Sequence, residues 1–170
     1  MIDLFSQFAH LAPVVIFIAS LLDILFVSGL FLYGAAMMTS IGMLHATGMI
    51  SVEMIILSSY TGTLLGNIIN FGTGKIFGKT EYVSNKLTHP KVETAREFLR
   101  SRGLFIFMTA SRFFAISRPV YALLLGSLNI SFKRFFVFEA LLALAWVIFW
   151  LFIILQGENL YFMFFDKQEV

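Results

Sequence analysis

The sequence predicts an all-α membrane protein built from re-entrant helical hairpins and transmembrane helices, with an inverted repeat. Three observations predict it. The chain of 170 residues is 59% hydrophobic and only 13% charged, with a mean hydropathy of +0.88. That is too apolar for a soluble domain of this size, and it suits a single membrane domain over residues 1–157 with no appended soluble core. Second, the run from Gly103 to Gly126 is apolar enough for a bilayer yet holds Arg112 and Arg118. Third, Ser51-Val52-Glu53-Met54-Ile55-Ile56-Leu57 and Val137-Phe138-Glu139-Ala140-Leu141-Leu142-Ala143 open two apolar runs in the same way.

The paired arginines carry the second observation. Each costs at least about 2.5–3.5 kcal/mol at membrane depth, so the run should supply partners or water for both. Pro119 lacks an N–H and biases Arg118 away from the helical region, which predicts a break near Ile116–Pro119. A break at that depth is tolerated only where protein or a watery cavity satisfies the freed backbone groups.

In chain order, no basic residue precedes Lys75, so the N-terminus lacks the positive region of a secretory signal. Residues 11–50 form a first hairpin or span and its connection, with Pro13 where a helix accepts proline best. Residues 52–78 form a transmembrane helix with a ridge of small or polar residues at every fourth position: Ser58, Gly62, Gly66, Asn70, Gly74 and Gly78. Gly62, Gly66, Gly74 and Gly78 let other backbones approach closely. Asn67, Asn70 and Lys75 are candidates to face a polar cavity.

Seven of the twelve basic residues fall between Lys75 and Arg102. Residues 79–103 therefore form an amphipathic connection, placed in the cytoplasm by its positive charge. A crossing over 104–128 would then put Lys133 and Arg134 outside, whereas a second re-entrant hairpin keeps them inside. A four-span bundle is the alternative topology. Residues 132–156 form the closing transmembrane helix, with Trp146 and Trp150 along it. Opposed spans that each follow a hairpin would relate the two halves by an in-plane pseudo-two-fold axis. Residues 158–170 form a tail in which Glu158-Asn159-Leu160-Tyr161-Phe162 matches most of a tag-protease recognition site. The tail is set aside from functional argument.

Chemistry is constrained by what is missing. Zero cysteines exclude disulfides and thiolate catalysis, and His10, His45 and His89 show no ligand spacing, so no metal, cofactor or catalytic residue is expected. Arginine stays protonated and presents a planar fork that matches phosphate oxygens, so Arg112 and Arg118 are the candidate substrate-binding residues. Asp23, Glu53 and Glu139 are the candidate counter-ions or proton-coupling residues, able to neutralise the arginines when the site is empty. A permanent Asp–Arg bridge that only orients the hairpins is the structural alternative.

Gly62, Gly66-Asn67, Phe71, Gly74-Lys75 and Gly78, together with Arg112-Phe113, Arg118-Pro119 and Gly126, resemble the DedA family, whose domain is also called the VTT or SNARE-associated domain. The likeness covers about residues 20–156, and the arginine motif is its specific part. It implies a bacterial cytoplasmic-membrane protein that moves a phosphate-bearing lipid, such as undecaprenyl phosphate or a phospholipid, between leaflets. It also implies proton coupling, with the family's arginines falling on Arg112 and Arg118 and its first acidic position on Asp23. Three departures stand out. Ser28-Gly29-Leu30 occupies the place of the second acidic residue, Asn67 replaces an aspartate, and the extra terminal helices are missing.

The expected partners are thus a lipid with an anionic phosphate headgroup and the bilayer itself, with no nucleic acid. The small-residue ridge leaves a homo-oligomer open. A membrane lipid phosphatase and a non-transporting scaffold are the rival readings; the first lacks a histidine in a suitable motif, and the second predicts that Arg112 is dispensable.

Overall fold

The computed structural model describes residues 11–25, 41–42, 45, 48, 50–78, 80, 90–113, 118–128 and 130–165. Within them the chain is all helical, with six helices and no strand. Helix α1 (Ala12–Ile24) carries Pro13 in its first turn and stops where Leu25 turns extended at ψ 135°. Asn70 Nδ2 donates to the Ile24 carbonyl at 2.7 Å, satisfying one of the acceptors that a helix end leaves open. The apolar run beginning at Leu11 is therefore not one continuous helix to Met38. At 13 residues α1 is about 20 Å long, short of the roughly 20 residues that a crossing needs.

Helix α2 (Val52–Phe77) starts at Ser51, whose side chain accepts from the Met54 N–H at 3.4 Å, and closes on Gly78. Helix α3 (Pro90–Arg102) carries the charged, amphipathic sequence. It ends because Gly103 takes φ +85°, a left-handed conformation that glycine adopts without penalty, and the chain turns directly into α4 (Leu104–Phe113). Helix α5 (Arg118–Ser127) begins with Pro119 in its first turn. Neither α4 nor α5, at ten residues and about 15 Å each, is long enough to cross a bilayer. Helix α6 (Phe132–Phe165) continues nine residues beyond the apolar stretch that closes at Gln156.

Two helices are long and apolar enough to span, α2 and Phe132–Gln156 of α6. They run antiparallel: Ile55 shares an apolar cluster with Leu151, while Phe71 stacks on Phe135 at 4.4 Å near the opposite end. Along α6 the exposed Val137, Leu141, Leu144, Ile148 and Phe152 recur at helical spacing, a surface suited to acyl chains rather than water.

Helix α2 is the axis on which the others pack, and its small residues divide between two partners. Gly62 and Gly66 face α1, where an added Cβ would meet the Phe17 carbonyl at 2.5 Å and Ile24 at 3.0 Å. Gly74 faces the backbone carbonyl of Leu123 in α5, and Gly126 of α5 in turn faces the Phe71 carbonyl of α2. There is no room for a side chain at either position, and what would be struck is backbone, which cannot rotate away.

This contrast yields the first prediction. Gly74→Ala and Gly126→Ala should each lower the unfolding midpoint in detergent by the equivalent of about 1–3 kcal/mol, the usual range for overpacking. Gly72→Ala, where nothing lies within 4 Å of the new Cβ, should instead raise it by about 0.5–1 kcal/mol through helix propensity.

Candidate functional site

Four helices bring the buried charged groups Arg112 and Glu139 together in one polar cluster. Arg112 comes from the last turn of α4, Tyr121 from the first turns of α5, Asn67 from the middle of α2 and Glu139 from the second turn onward of α6. Glu139 is fully buried, and Arg112 and Tyr121 are 4% and 2% exposed. Glu139 Oε1 accepts from Asn67 Nδ2 at 2.7 Å and forms a salt bridge with Arg112 Nη2, while Oε2 accepts from the Tyr121 hydroxyl at 2.6 Å. Arg112 Nη2 also donates to the Tyr121 oxygen at 3.3 Å, and the guanidinium carbon lies 5.9 Å from the Tyr121 ring centre.

The local sequence explains why these groups meet. Gly74 and Gly126 let α5 approach α2, which carries Tyr121 toward Asn67. Arg112 lies in the last turn of α4, and its guanidinium points into the bundle toward Glu139. A buried carboxylate with three donors has its charge answered on both oxygens. The cation is less completely served. Among the described residues, Arg112 Nε and Asn67 Oδ1 are buried without a hydrogen-bond partner.

A small cleft of about 30 Å³ lies one turn further along α2, lined by Ser20, Asp23, Ser59, Thr63, Trp146 and Trp150 among others. Ser59, Thr63 and Asn67 follow at spacings of four, so one face of α2 runs from this cleft to Glu139. The buried Ser20 hydroxyl lies on the α1 side without a partner among the described residues. Trp146 packs edge-on against Phe113 at 5.6 Å, joining the wall of the cleft to the end of α4.

The candidate residues named from the sequence are thus not all gathered. Glu139 is the carboxylate on Arg112; Asp23 lines the neighbouring cleft at the end of α1. Glu53 stands exposed in the first turn of α2, where an acidic group suits the helix N-terminus, about 21 Å along the axis from Asn67. The short repeat that matched Glu53 with Glu139 therefore pairs a surface carboxylate with a buried one. Only the backbone is described for Arg118, at the start of α5. Lys75 is exposed, and Asn70 is spent on the end of α1. Gly78, like Gly74, lies against α5, at Ser127. Tyr121 was missed by sequence reasoning, though it is the only hydroxyl-bearing residue in the Pro119–Gly126 run.

A family profile, the VTT domain, matches residues 23–156. An uncharacterized membrane protein of Buchnera aphidicola subsp. Acyrthosiphon pisum is 29% identical over 123 residues, covering 71% of this chain and 48% of that protein. The chain spans about half the length of this curated relative. No solved structure matches it.

If the ion pair is coupled as its geometry indicates, removing one partner should hurt more than removing both. Arg112→Met and Glu139→Leu should each cost about 3–5 kcal/mol of stability by leaving a buried charge unanswered, while the double variant should lose much less than their sum. Unfolding in detergent of the wild type, both single variants and the double variant checks this.

Proposed function

The chain belongs to the VTT-domain (DedA) family of membrane proteins, and from that premise we propose that it moves a phosphate-bearing lipid between leaflets of the bacterial cytoplasmic membrane. The observation that carries the reading is a buried guanidinium in the last turn of α4, beside the two spans, whose Nε–H has no partner among the described residues. In this reading α4 and α5 are the arms of a re-entrant hairpin, α1 opens a second one, and the two halves are inverted about the α2–α6 pair. Each hairpin delivers a short helix to the middle of the bilayer, where a headgroup must pass.

The headgroup phosphate accepts from Arg112 and Arg118 in place of the carboxylate that Arg112 holds at rest. Phosphate and Glu139 then compete for one cation. Arg112 gives Glu139 one nitrogen, Nη2, and its fork can give a phosphate two, so the exchange offers at least as many hydrogen bonds while it transfers the charge. Protonation of Glu139 removes its hold on Arg112, and Asp23, at the head of the Ser59-Thr63-Asn67 face, stands where a proton would enter. Transport driven by a proton gradient follows from that competition. The Arg112–Glu139 pair as a fixed brace is the second reading, favoured by Tyr121 and Asn67 holding the same carboxylate.

Translocation of a headgroup-labelled lipid in liposomes separates the two. Arg112→Lys and Arg118→Lys keep the charge but lose the planar fork, and each should slow translocation at least about tenfold, the cost of roughly one charge-assisted hydrogen bond. Wild-type rates in both variants, at equal insertion, would overturn the phosphate site.

Proton coupling has its own test. Glu139→Gln retains an acceptor for Asn67 and Arg112 but cannot be charged, so transport by this variant should become independent of an imposed pH gradient. Asp23→Asn should weaken the same dependence. Full gradient dependence in Glu139→Gln would remove Glu139 from the coupling step.

A further inference from the structure

At the basic end of the bundle, a second feature stands apart from the buried cluster. A cleft in two lobes of about 540 and 520 Å³ runs between α3, the connection from α5 to α6, and the first turns of α6. Leu99 and Ile130 form the ridge between the lobes, and Phe138 and Leu128 extend the apolar floor on either side. Arg134 lines one lobe and Arg96 and Arg100 the other, while among the described residues no carboxylate lines either. Neither Arg112 nor Glu139 reaches it.

We propose that this cleft holds an anionic phospholipid of the surrounding leaflet, its phosphate between Arg100 and Arg134 and its upper acyl carbons on the Leu99–Ile130–Phe138 floor. Depth supports this occupant. The last turn of α2, with Lys75, and the first turn of α6, with Lys133 and Arg134, lie at the same end of two antiparallel spans, so the arginines stand at headgroup level. Charge supports it as well. Arg96 is engaged by Glu93 at 3.0 Å, but among the described residues no ion pair involves Arg100 or Arg134. A free phosphate would use the arginines and gain nothing from the floor; a lipid uses both. The surroundings are lipid-facing too, since Phe98, Phe105, Phe132 and Phe136 are exposed around the cleft. Each lobe lies within the roughly 300–1,000 Å³ of small-molecule sites. An annular lipid held here would tie α3 to the end of α6, and this assignment does not rest on the transport reading.

The experiment uses the full chain in phosphatidylcholine nanodiscs, with spin-labelled phosphatidylglycerol compared against spin-labelled phosphatidylcholine by electron paramagnetic resonance. Wild type should immobilise phosphatidylglycerol preferentially. Arg100→Gln with Arg134→Gln should reduce that preference by about tenfold for each arginine, the loss of one charge-assisted hydrogen bond to the phosphate. Arg102→Gln with Lys133→Gln removes the same charge outside the cleft and should reduce it much less. An equal loss in both double variants would mean general surface attraction and overturn the proposal, as would an unchanged preference in the first. Displacement of phosphatidylglycerol by inorganic phosphate, but not by chloride at matched ionic strength, would identify a soluble anion as the ligand and also overturn it. Should the Arg100/Arg134 double variant fail to insert, Arg134→Gln read against Lys133→Gln gives the same comparison.

Discussion

The salt bridge between Arg112 and Glu139 is the constraint on which the rest of the structure turns. Two full charges lie in an interior where isolated ions are prohibitively costly, and Coulomb attraction alone rarely repays their desolvation. The structure answers the cost by number of donors: the carboxylate receives Asn67, Tyr121 and Arg112 from three different helices. Since each donor sits on its own helix, satisfying Glu139 fixes α2, α4 and α5 relative to α6. Apolar contact in a bilayer gives little such direction, because lipid tails compete equally well for apolar surface. Polar satisfaction sets the register here, and dispersion fills in around it.

Close backbone packing is what lets those donors arrive. Tyr121 reaches Glu139 only because α5 lies against α2 at the distance that Gly74 and Gly126 permit. The ridge on α2 works in two halves, with Gly62 and Gly66 seating α1 and Gly74 and Gly78 seating α5. Short helices are thereby docked by backbone shape, and their ends are served by side chains of the spans. Asn70 on the Ile24 carbonyl shows the pattern: a helix that stops inside the bundle leaves acceptors that the neighbouring span must meet.

The sequence reported local features and lost the long-range ones. The α2 span and the ridge of small residues were legible because each depends on neighbours a few positions apart; the break expected near Ile116–Pro119 falls on residues 114–117, outside the described ones. Membership of the family was legible from two spaced motifs. The partner of Arg112 was not singled out from three carboxylates, since Glu53 and Glu139 look alike in sequence and differ only in depth: one opens its helix at the surface, the other lies well inside α6. A matched heptapeptide says nothing of where on a helix it falls. Tyr121 was passed over because a tyrosine among aliphatics reads as packing, and its hydroxyl acquires a role only once α6 is placed beside it. Residues 26–40, which hold much of the first proposed hairpin, and Arg118's side chain lie outside the described residues, so those expectations stand as proposals.

Charge counting links the departures in sequence to the proposed cycle. With asparagine at position 67 the resting cluster holds one cation and one anion and is neutral; an aspartate there would leave it with a surplus negative charge facing any incoming phosphate. With Arg118 joining the site, a doubly charged phosphate entering the cluster would itself create that surplus, at a depth where an unanswered charge is costly. Adding one proton to Glu139 restores neutrality, because Arg112 and Arg118 then balance the phosphate and the carboxyl balances nothing. Entry of the headgroup and uptake of the proton are therefore favourable together and unfavourable apart, which is the thermodynamic content of coupling. The same counting gives Asn67 its place in the cycle. Its Nδ2–H₂ can donate to either form of Glu139, and its Oδ1, without a partner among the described residues, can accept from the hydroxyl that a protonated carboxyl presents.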